Sequence, residues 1–433
     1  MDKVNIFWFR RDFRLDDNVG LFYALKSENP VLPIFIYDTD IIDKLPKDDA
    51  RLTFIYETLQ KLNSKLNKDL DTSIAFFHGK PIDIFKHIVK KYDIEKVFTN
   101  KDYEPYALDR DKNIEAFLED NGIGFKSYKD QVVFEHSEVV KNDGDPYLVF
   151  TPYMKKWKEE FKEIDFKTFD SESLLGTIVK NKMLPNIHLE DMGFEKSSIK
   201  VPDYHLEKEF LQNYGDTRDK PSINGTSRLS PYLRFGLIGY RKLVEKAMSV
   251  KDETFLNELI WREFYKMILF HYPNSVDEAF KKKYDRIEWR NNEEEFEKWK
   301  NGQTGYPIVD AGMRQLNETG WMHNRVRMIV GSFLCKHLLI DWRWGEAYFA
   351  EKLLDFEQSS NVGGWQWVAG SGVDAAPYFR IFNPYSQTEK FDKDKKYIKK
   401  WVPEYGTDDY VEPMVEHKSA RERCLETYKE ALN

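Results

Sequence analysis

The chain of 433 residues holds two cysteines, Cys335 and Cys424. So small a number excludes a disulfide framework and a cysteine-built metal cluster, and it fits a reducing compartment. Histidine is scarce too: nine residues and no His-x-x-x-His pair, so no metal set is expected. No apolar run reaches bilayer-spanning length, and no membrane association is expected. The opening stretch Val4-Asn5-Ile6-Phe7-Trp8-Phe9-Arg10-Arg11-Asp12 meets charge too soon for a signal peptide, which points to a cytoplasmic protein. There is no Gly-x-Gly-x-x-Gly or phosphate-loop signature and no Gly-x-Ser-x-Gly elbow. Basic charge is in deficit, with 66 Lys+Arg against 74 Asp+Glu and a net charge of −8. Alone this speaks against nucleic acid, but binding follows local charge rather than its sum. Two basic runs stand out: Lys281-Lys282-Lys283 with Arg286 and Arg290, and Lys393, Lys395, Lys396, Lys399 and Lys400. Each reads equally as solvated surface or as a polyanion contact.

Aromatic residues, by contrast, are plentiful at 15%, and nine of the 11 tryptophans lie beyond residue 200. Asn361-Val362-Gly363-Gly364-Trp365-Gln366-Trp367 sets two indoles at i, i+2 behind a glycine pair, an arrangement suited to a flat ligand or an electron path. Residues 1–130 alternate apolar runs (Val4–Phe9, Val31–Tyr37, Ser73–His78, Lys96–Thr99) with amphipathic segments near 18–27, 51–68, 81–92 and 105–120. That alternation predicts an α/β domain, a doubly wound, Rossmann-like parallel sheet with helices on both faces. Residues 131–202 read as a charged, irregular connector. Residues 203–433 read as all-α, with helices expected over Phe255–Phe270, Ile308–Leu316 and Val326–Leu339.

Four constellations in the second half can carry chemistry. Gly225-Thr226-Ser227-Arg228-Leu229-Ser230-Pro231-Tyr232 offers hydroxyls and backbone N–H groups at a helix start, as a phosphate cradle or as a plain N-cap. Glu258 and Trp261 are three apart and share a helix face. A carboxyl against an indole in an apolar setting stays protonated and donates a hydrogen bond; otherwise the pair is a surface Glu beside a half-buried Trp. Trp321–Met328 places Asn324, Arg327 and Met328 within one turn, either facing an aromatic ligand or forming a polar stripe. Trp289, Trp342 and Trp365 form an electron relay if aligned and ordinary core packing if not.

Taken together, the stretches Phe7–Leu15, Asn257–Tyr265, Gly305–Ala311, Thr319–Met328, Asp341-Trp342-Arg343 and Gly363–Pro384 resemble the photolyase/cryptochrome flavoprotein family over nearly the whole chain. Within it, Thr319–Met328 is similar to the class I enzymes acting on cyclobutane pyrimidine dimers. The resemblance implies an enzyme with a helical FAD-binding domain, acting as a monomer on UV-damaged DNA. Reduced FAD, excited by blue or near-UV light, would lend an electron to a flipped-out dimer; the rival within the family is a blue-light receptor without repair activity. It further implies that Tyr214, Thr226, Ser227, Leu229 and Ser230 hold the phosphate and ribityl part. Asn324, Arg327, Asp355, Glu357 and Asn361 would surround the ring system, with Asn361 facing flavin N5. Glu258, Trp261, Met328 and Trp367 would line the lesion pocket, Glu258, Asn361 and Met328 being the catalytic set. Arg325 and Arg380 would meet DNA phosphates, and Trp365, Trp342 and Trp289 would relay electrons to the surface. Three positions depart from the pattern: Glu357 for a frequent Asp, Val362 for a second Asn, and Phe255 for a Trp in some relatives. An antenna chromophore, whether folate, deazaflavin or another flavin, is compatible with the first domain. Tyr103-Glu104-Pro105-Tyr106-Ala107 lacks the Asn-Glu pair used by some folate-binding relatives.

Overall fold

A computed structural model describes residues 3–433. The chain folds as two compact units that interleave along the sequence. The first takes residues up to Glu138, Glu160–Pro202 and Leu229–Lys246; the second takes Val139–Glu159, Asp203–Arg228 and Ala247–Asn433.

In the first unit, strands β1 (Val4–Phe9), β2 (Val31–Asp38), β3 (Ala75–Gly79), β4 (Ile94–Asn100) and β5 (Gly124–Tyr128) form one sheet in the order β3-β2-β1-β4-β5. All pairings are parallel. Helices α1 (Val19–Leu25), α2 (Ala50–Leu70), α3 (Pro81–Lys91) and α4 (Pro105–Asp120) link the strands. β2 is buried at every position, because the crossover helices leave neither sheet face to water. This is the doubly wound sheet expected from the alternation. The fifth strand had no counterpart in the sequence reading. Gly-Phe-Lys-Ser-Tyr is not an apolar run, and at the sheet edge Lys126 and Ser127 reach solvent.

A charged knot holds the same unit together. The buried Asp130 carboxylate accepts from Arg14 Nη2 at 2.7 Å and from Arg241 Nη2 at 2.8 Å, and Arg241 Nε donates to Asp17 at 3.0 Å. Burial alone would push the Asp130 pKa up, but the two guanidinium groups more than offset it and hold it near 2. Residues 160–202, read as connector, lie against this sheet: Val179 N donates to Val31 O at 2.9 Å.

The second unit is built around α5 (Thr254–His271), α6 (Glu293–Lys300), α7 (Pro307–Thr319), α8 (Asn324–Ser332), α9 (Trp342–Lys352), α10 (Gln358–Ala369), α11 (Pro384–Phe391), α12 (Lys396–Trp401) and α13 (His417–Leu432). α5 runs unbroken because no Gly or Pro interrupts it. It starts where Asp252 Oδ1 accepts from Thr254 N at 2.8 Å. Leu256, Leu259, Ile260, Phe264 and Met267 form its buried stripe. The helix expected over Val326–Leu339 is shorter than the apolar spacing suggested. α8 ends at Ser332, a π-helical turn covers Phe333–His337, and Leu339 is left-handed with φ of 50°. α9 and α10 approach so closely that a Cβ on Gly345 would enter the Trp365 ring; one on Gly363 would enter the Tyr265 ring of α5. Gly345 and Gly363 therefore serve close helix packing, whereas a Cβ on Gly364 would meet nothing.

Candidate active site

α10 carries Asn361 into the buried interior of the second unit, where it is 9% exposed. Its amide nitrogen donates to Glu346 O at 3.1 Å and to Glu346 Oε1 at 2.8 Å, both on α9. Those bonds fix the amide so that Oδ1 is the end left to accept a proton donor. Burial raises the pKa of Glu346, partly countered by the Asn361 bond. Glu346 thus orients Asn361, a role no local pattern revealed.

Arg327 on α8 reaches the loop before α10, where Nη2 meets both Asp355 oxygens at 2.9 and 3.1 Å. Its Nε donates to Met322 O at 2.9 Å, so one guanidinium ties the turn before α8 to the turn before α10. The Asp355 side chain is only 4% exposed. Glu357, two residues on, turns instead to α5: its carboxylate meets Lys266 Nζ at 2.7 Å and Arg262 Nε at 3.2 Å. A longer side chain than the usual Asp is consistent with that reach.

The residues expected to line a lesion pocket fall into two groups. Trp261 stacks on Phe150 with ring centroids 3.7 Å apart and planes 8° from parallel. Trp367 and Met328 pack half-buried against the main core of this unit. Of the two settings weighed for Glu258, the partly exposed one is present and the apolar one is not. Its carboxylate is ion-paired with Arg218, 40 positions earlier, and its side chain is 33% exposed. The physical reason is the guanidinium partner, which the face-sharing argument did not contain. Arg325 is paired as well: Nη2 meets Asp219 Oδ1 at 2.9 Å, and its guanidinium lies 4.4 Å from the Phe391 ring centroid. Arg380 is exposed on the loop before α11, its guanidinium 5.7 Å from the Phe382 ring.

Of the residues assigned to the cofactor's phosphate end, Tyr214 packs edge-on to Phe255 at 5.2 Å, and the Ser227 carbonyl accepts from His205 N at 2.9 Å. Thr226 is half-buried beside it, and Asn324 is exposed at the start of α8. Leu229 and Ser230 fall in the first unit, Ser230 opening the short helix Ser230–Arg234. Among the described residues, Arg228 Nε, Asn257 Oδ1, His323 Nε2 and Ser359 Oγ are buried with no hydrogen-bond partner. An unsatisfied buried polar atom costs roughly 1–3 kcal/mol. Each of these four lies within two residues of an assigned site residue, which fits a polar, many-acceptor cofactor such as FAD.

The three relay tryptophans differ in depth. Trp365 and Trp342 are 3% and 2% exposed within one core cluster, and Trp289 packs half-buried against it. Trp365 also meets Trp299 edge-on at 6.1 Å, and Trp289 meets Tyr428 at 6.0 Å. Trp365 and Trp342 are thus equally deep, and Trp289 alone approaches the surface, as the outer end of a path from the core would.

His323 caps α8, with Nδ1 accepting from Arg325 N at 3.1 Å, which needs a neutral ring. Burial, its largest cause, pushes the pKa from 6.5 down to about 4. Above pH 6.5 neither state of the chain protonates this ring; as pH falls toward about 4, only the unfolded chain does, so stability is lost in that window. Denaturant unfolding at stepped pH is expected to show that loss. His323→Asn, which keeps a capping side chain but cannot titrate, is expected to lessen it, the rest coming from His337, whose pKa burial lowers from 6.5 to about 3.

Comparison with known proteins places these features. A family profile described as DNA photolyase matches residues 5–171, and one described as the FAD binding domain of DNA photolyase matches residues 255–407. A curated deoxyribodipyrimidine photo-lyase of Halobacterium salinarum is 34% identical over 480 aligned positions, covering 99% of each chain. That of Alkalihalophilus pseudofirmus is 36% identical, covering 99% of this chain and 98% of its own. Among solved structures, a bacterial class III photolyase from Agrobacterium tumefaciens superposes with a TM-score of 0.88 at 32% identity, covering 100% of this chain and 98% of that one. An archaeal photolyase from Sulfolobus tokodaii, described with two FAD molecules, gives 0.82 at 33% identity, covering 99% and 100%. With the sheet and the helical unit in place, and with relatives of this identity aligned over nearly the full length of both chains, the chain belongs to the DNA photolyase family.

Proposed function

We propose that the protein is a light-driven DNA repair enzyme that splits cyclobutane pyrimidine dimers, working as a monomer on DNA in the cytoplasm. The observation that carries this reading is the end-to-end match, at 34–36% identity, to relatives named deoxyribodipyrimidine photo-lyase. The receptor alternative is not favoured by it. FAD, reduced and excited by light, supplies the electron that opens the dimer and is then returned. The chain's own residues do the rest. Arg327 and Asp355 clamp the turns before α8 and α10, which would border the ring system, and Asn361, oriented by Glu346, would offer Oδ1 to a proton on flavin N5. Trp261 and Trp367 would supply flat apolar faces to the flipped-out dimer; such stacking is worth roughly 1–3 kcal/mol per base. A dimer stacks and pairs poorly, so extruding it costs less than extruding sound bases; photolyases are themselves a standard example of base flipping.

Glu258 sits where it can meet the dimer's carbonyls once its contact with Arg218 opens, stabilising charge that develops there. Glu258→Ala is expected to lower the number of dimers split per absorbed photon while flavin stays bound. Equal yields in variant and parent would remove Glu258 from the chemistry. The function itself is tested by illuminating the reduced protein with an oligonucleotide carrying one thymine dimer. Restored thymines in the light and none in the dark are expected; no restoration in the light would overturn the assignment.

A further inference from the structure

We propose that the lysine face of α12, together with Lys393, is a second phosphate-binding track that grips the duplex arm beyond the lesion pocket. The inference rests on the reading of the protein as a DNA-repair enzyme and extends it to a surface that reading does not use.

Residues 389–400 hold six lysines against three carboxylates, in a chain whose net charge is −8. One pair is internal: Lys395 Nζ meets Glu389 at 3.2 Å, and Asp394 stands exposed among the lysines. Asp392 is buried and spent on the backbone, accepting from Tyr397 N and Ile398 N at 3.0 Å each. Lys393, Lys396, Lys399 and Lys400 are exposed, and among the described residues none of them has a carboxylate partner. The contrast with α6 is direct. There Lys298 pairs with Glu294 at 2.8 Å and Lys300 with Glu297 at 2.5 Å.

The fold gains little from this arrangement beyond the Lys400 ammonium, which lies 4.8 Å from the Trp401 ring centroid. Lys396 stands at the first position of α12, where the helix dipole repels a cation. Lys396, Lys399 and Lys400 are three and four apart, spacings at which like charges destabilise a helix. Only the last two, at the carboxyl end, sit where the dipole favours them. The opposite face explains why the helix forms regardless: Tyr397 and Ile398 are 2% and 1% exposed, and Tyr397 Oη donates to Gln315 at 2.6 Å. Three lysines are thus held outward on a core-anchored helix, with Lys393 exposed in the turn before it. That is what a polyanion surface requires and what a solvated face does not.

Position identifies the polyanion. The Arg325 guanidinium lies over the ring of Phe391, the last residue of α11, and Lys393 follows two residues later. The charge therefore continues from a residue assigned to the phosphates at the lesion. α12 rises by about 9 Å, and duplex DNA carries a charge about every 1.7 Å of its axis, so one face meets more than one phosphate.

The test measures log affinity against log salt for the full flavin-loaded protein on dimer-bearing and undamaged duplexes, each long or cut short beside the central site. The variant carries Lys393, Lys396, Lys399 and Lys400 all replaced by Gln; a companion carries Arg at all four. On both long duplexes the Gln variant is expected to lose about 0.9 of slope per contact removed, at least about two units in all, and the Arg variant to keep the parent slope. On the short duplexes the variants and the parent should coincide. An unchanged slope on long duplexes, or an equal fall on short ones, would overturn the proposal. The lesion reading is judged separately, by the parent's preference for the dimer over the undamaged duplex.

Discussion

With Trp365 replaced by phenylalanine, oxidised flavin in the protein is expected to stay oxidised under blue light, even with an external reductant present. Trp365 lies deep in the helical unit, 3% exposed, seated against Gly345 and Gly331 and edge-on to Phe349 at 4.9 Å. Phenylalanine keeps an apolar ring in that seat but removes the easily oxidised indole. The first electron donor is then gone, and Trp342 and the half-exposed Trp289 cannot substitute for it. Repair by enzyme already reduced chemically should persist, because the electron used in repair is returned and needs no outside source. The same variant thus separates two activities that share one cofactor. Photoreduction at the parental rate would show that the tryptophans are only core packing. Loss of repair in the pre-reduced variant would show that Trp365 serves the dimer chemistry itself.

Arg327→Ala is expected to cost about 3 kcal/mol of stability in the second unit, as breaking a buried ion pair does, and to release the flavin on purification. The guanidinium meets both oxygens of Asp355, whose side chain is 4% exposed, and also holds the Met322 carbonyl. Removing it takes that partner from a buried carboxylate and loosens the turns before α8 and α10 together. Arg327→Lys keeps the charge but not the fork that spans Met322 and Asp355, and is expected to fall between the two. Flavin content by absorption and denaturant midpoints check both effects. Full flavin retention in Arg327→Ala would mean that the clamp does not border the cofactor.

The parts of this fold legible in the sequence are those where one local pattern decides the outcome. β1 to β4 are apolar runs between amphipathic helices, and α5 is eighteen residues without a breaker. β5 escaped because an edge strand needs no apolar run, and the end of α8 escaped because a π-helical turn keeps nearly the same apolar spacing. At the site, the family resemblance brought forward Asn361, Arg327, Asp355 and the tryptophans, but not the partners of Asn361, Glu258 and Arg325. Glu346 stands 15 residues from Asn361, Arg218 stands 40 from Glu258, and Asp219 stands 106 from Arg325. Those pairings are set by tertiary packing, so no spacing rule reaches them. The choice between the two settings of Glu258 has the same origin. Its helix neighbour Trp261 was visible in the sequence, whereas the arginine paired with it came from a distant loop.

The measurement that bears most directly on the central claim is the wavelength dependence of thymine-dimer splitting by the fully reduced protein. If the helical unit holds FAD beside the lesion pocket, repair per incident photon should follow the near-UV and blue absorption of reduced flavin, with any antenna band added, and vanish in the dark. Repair that proceeds without light, or that fails at wavelengths the bound flavin absorbs, would contradict it.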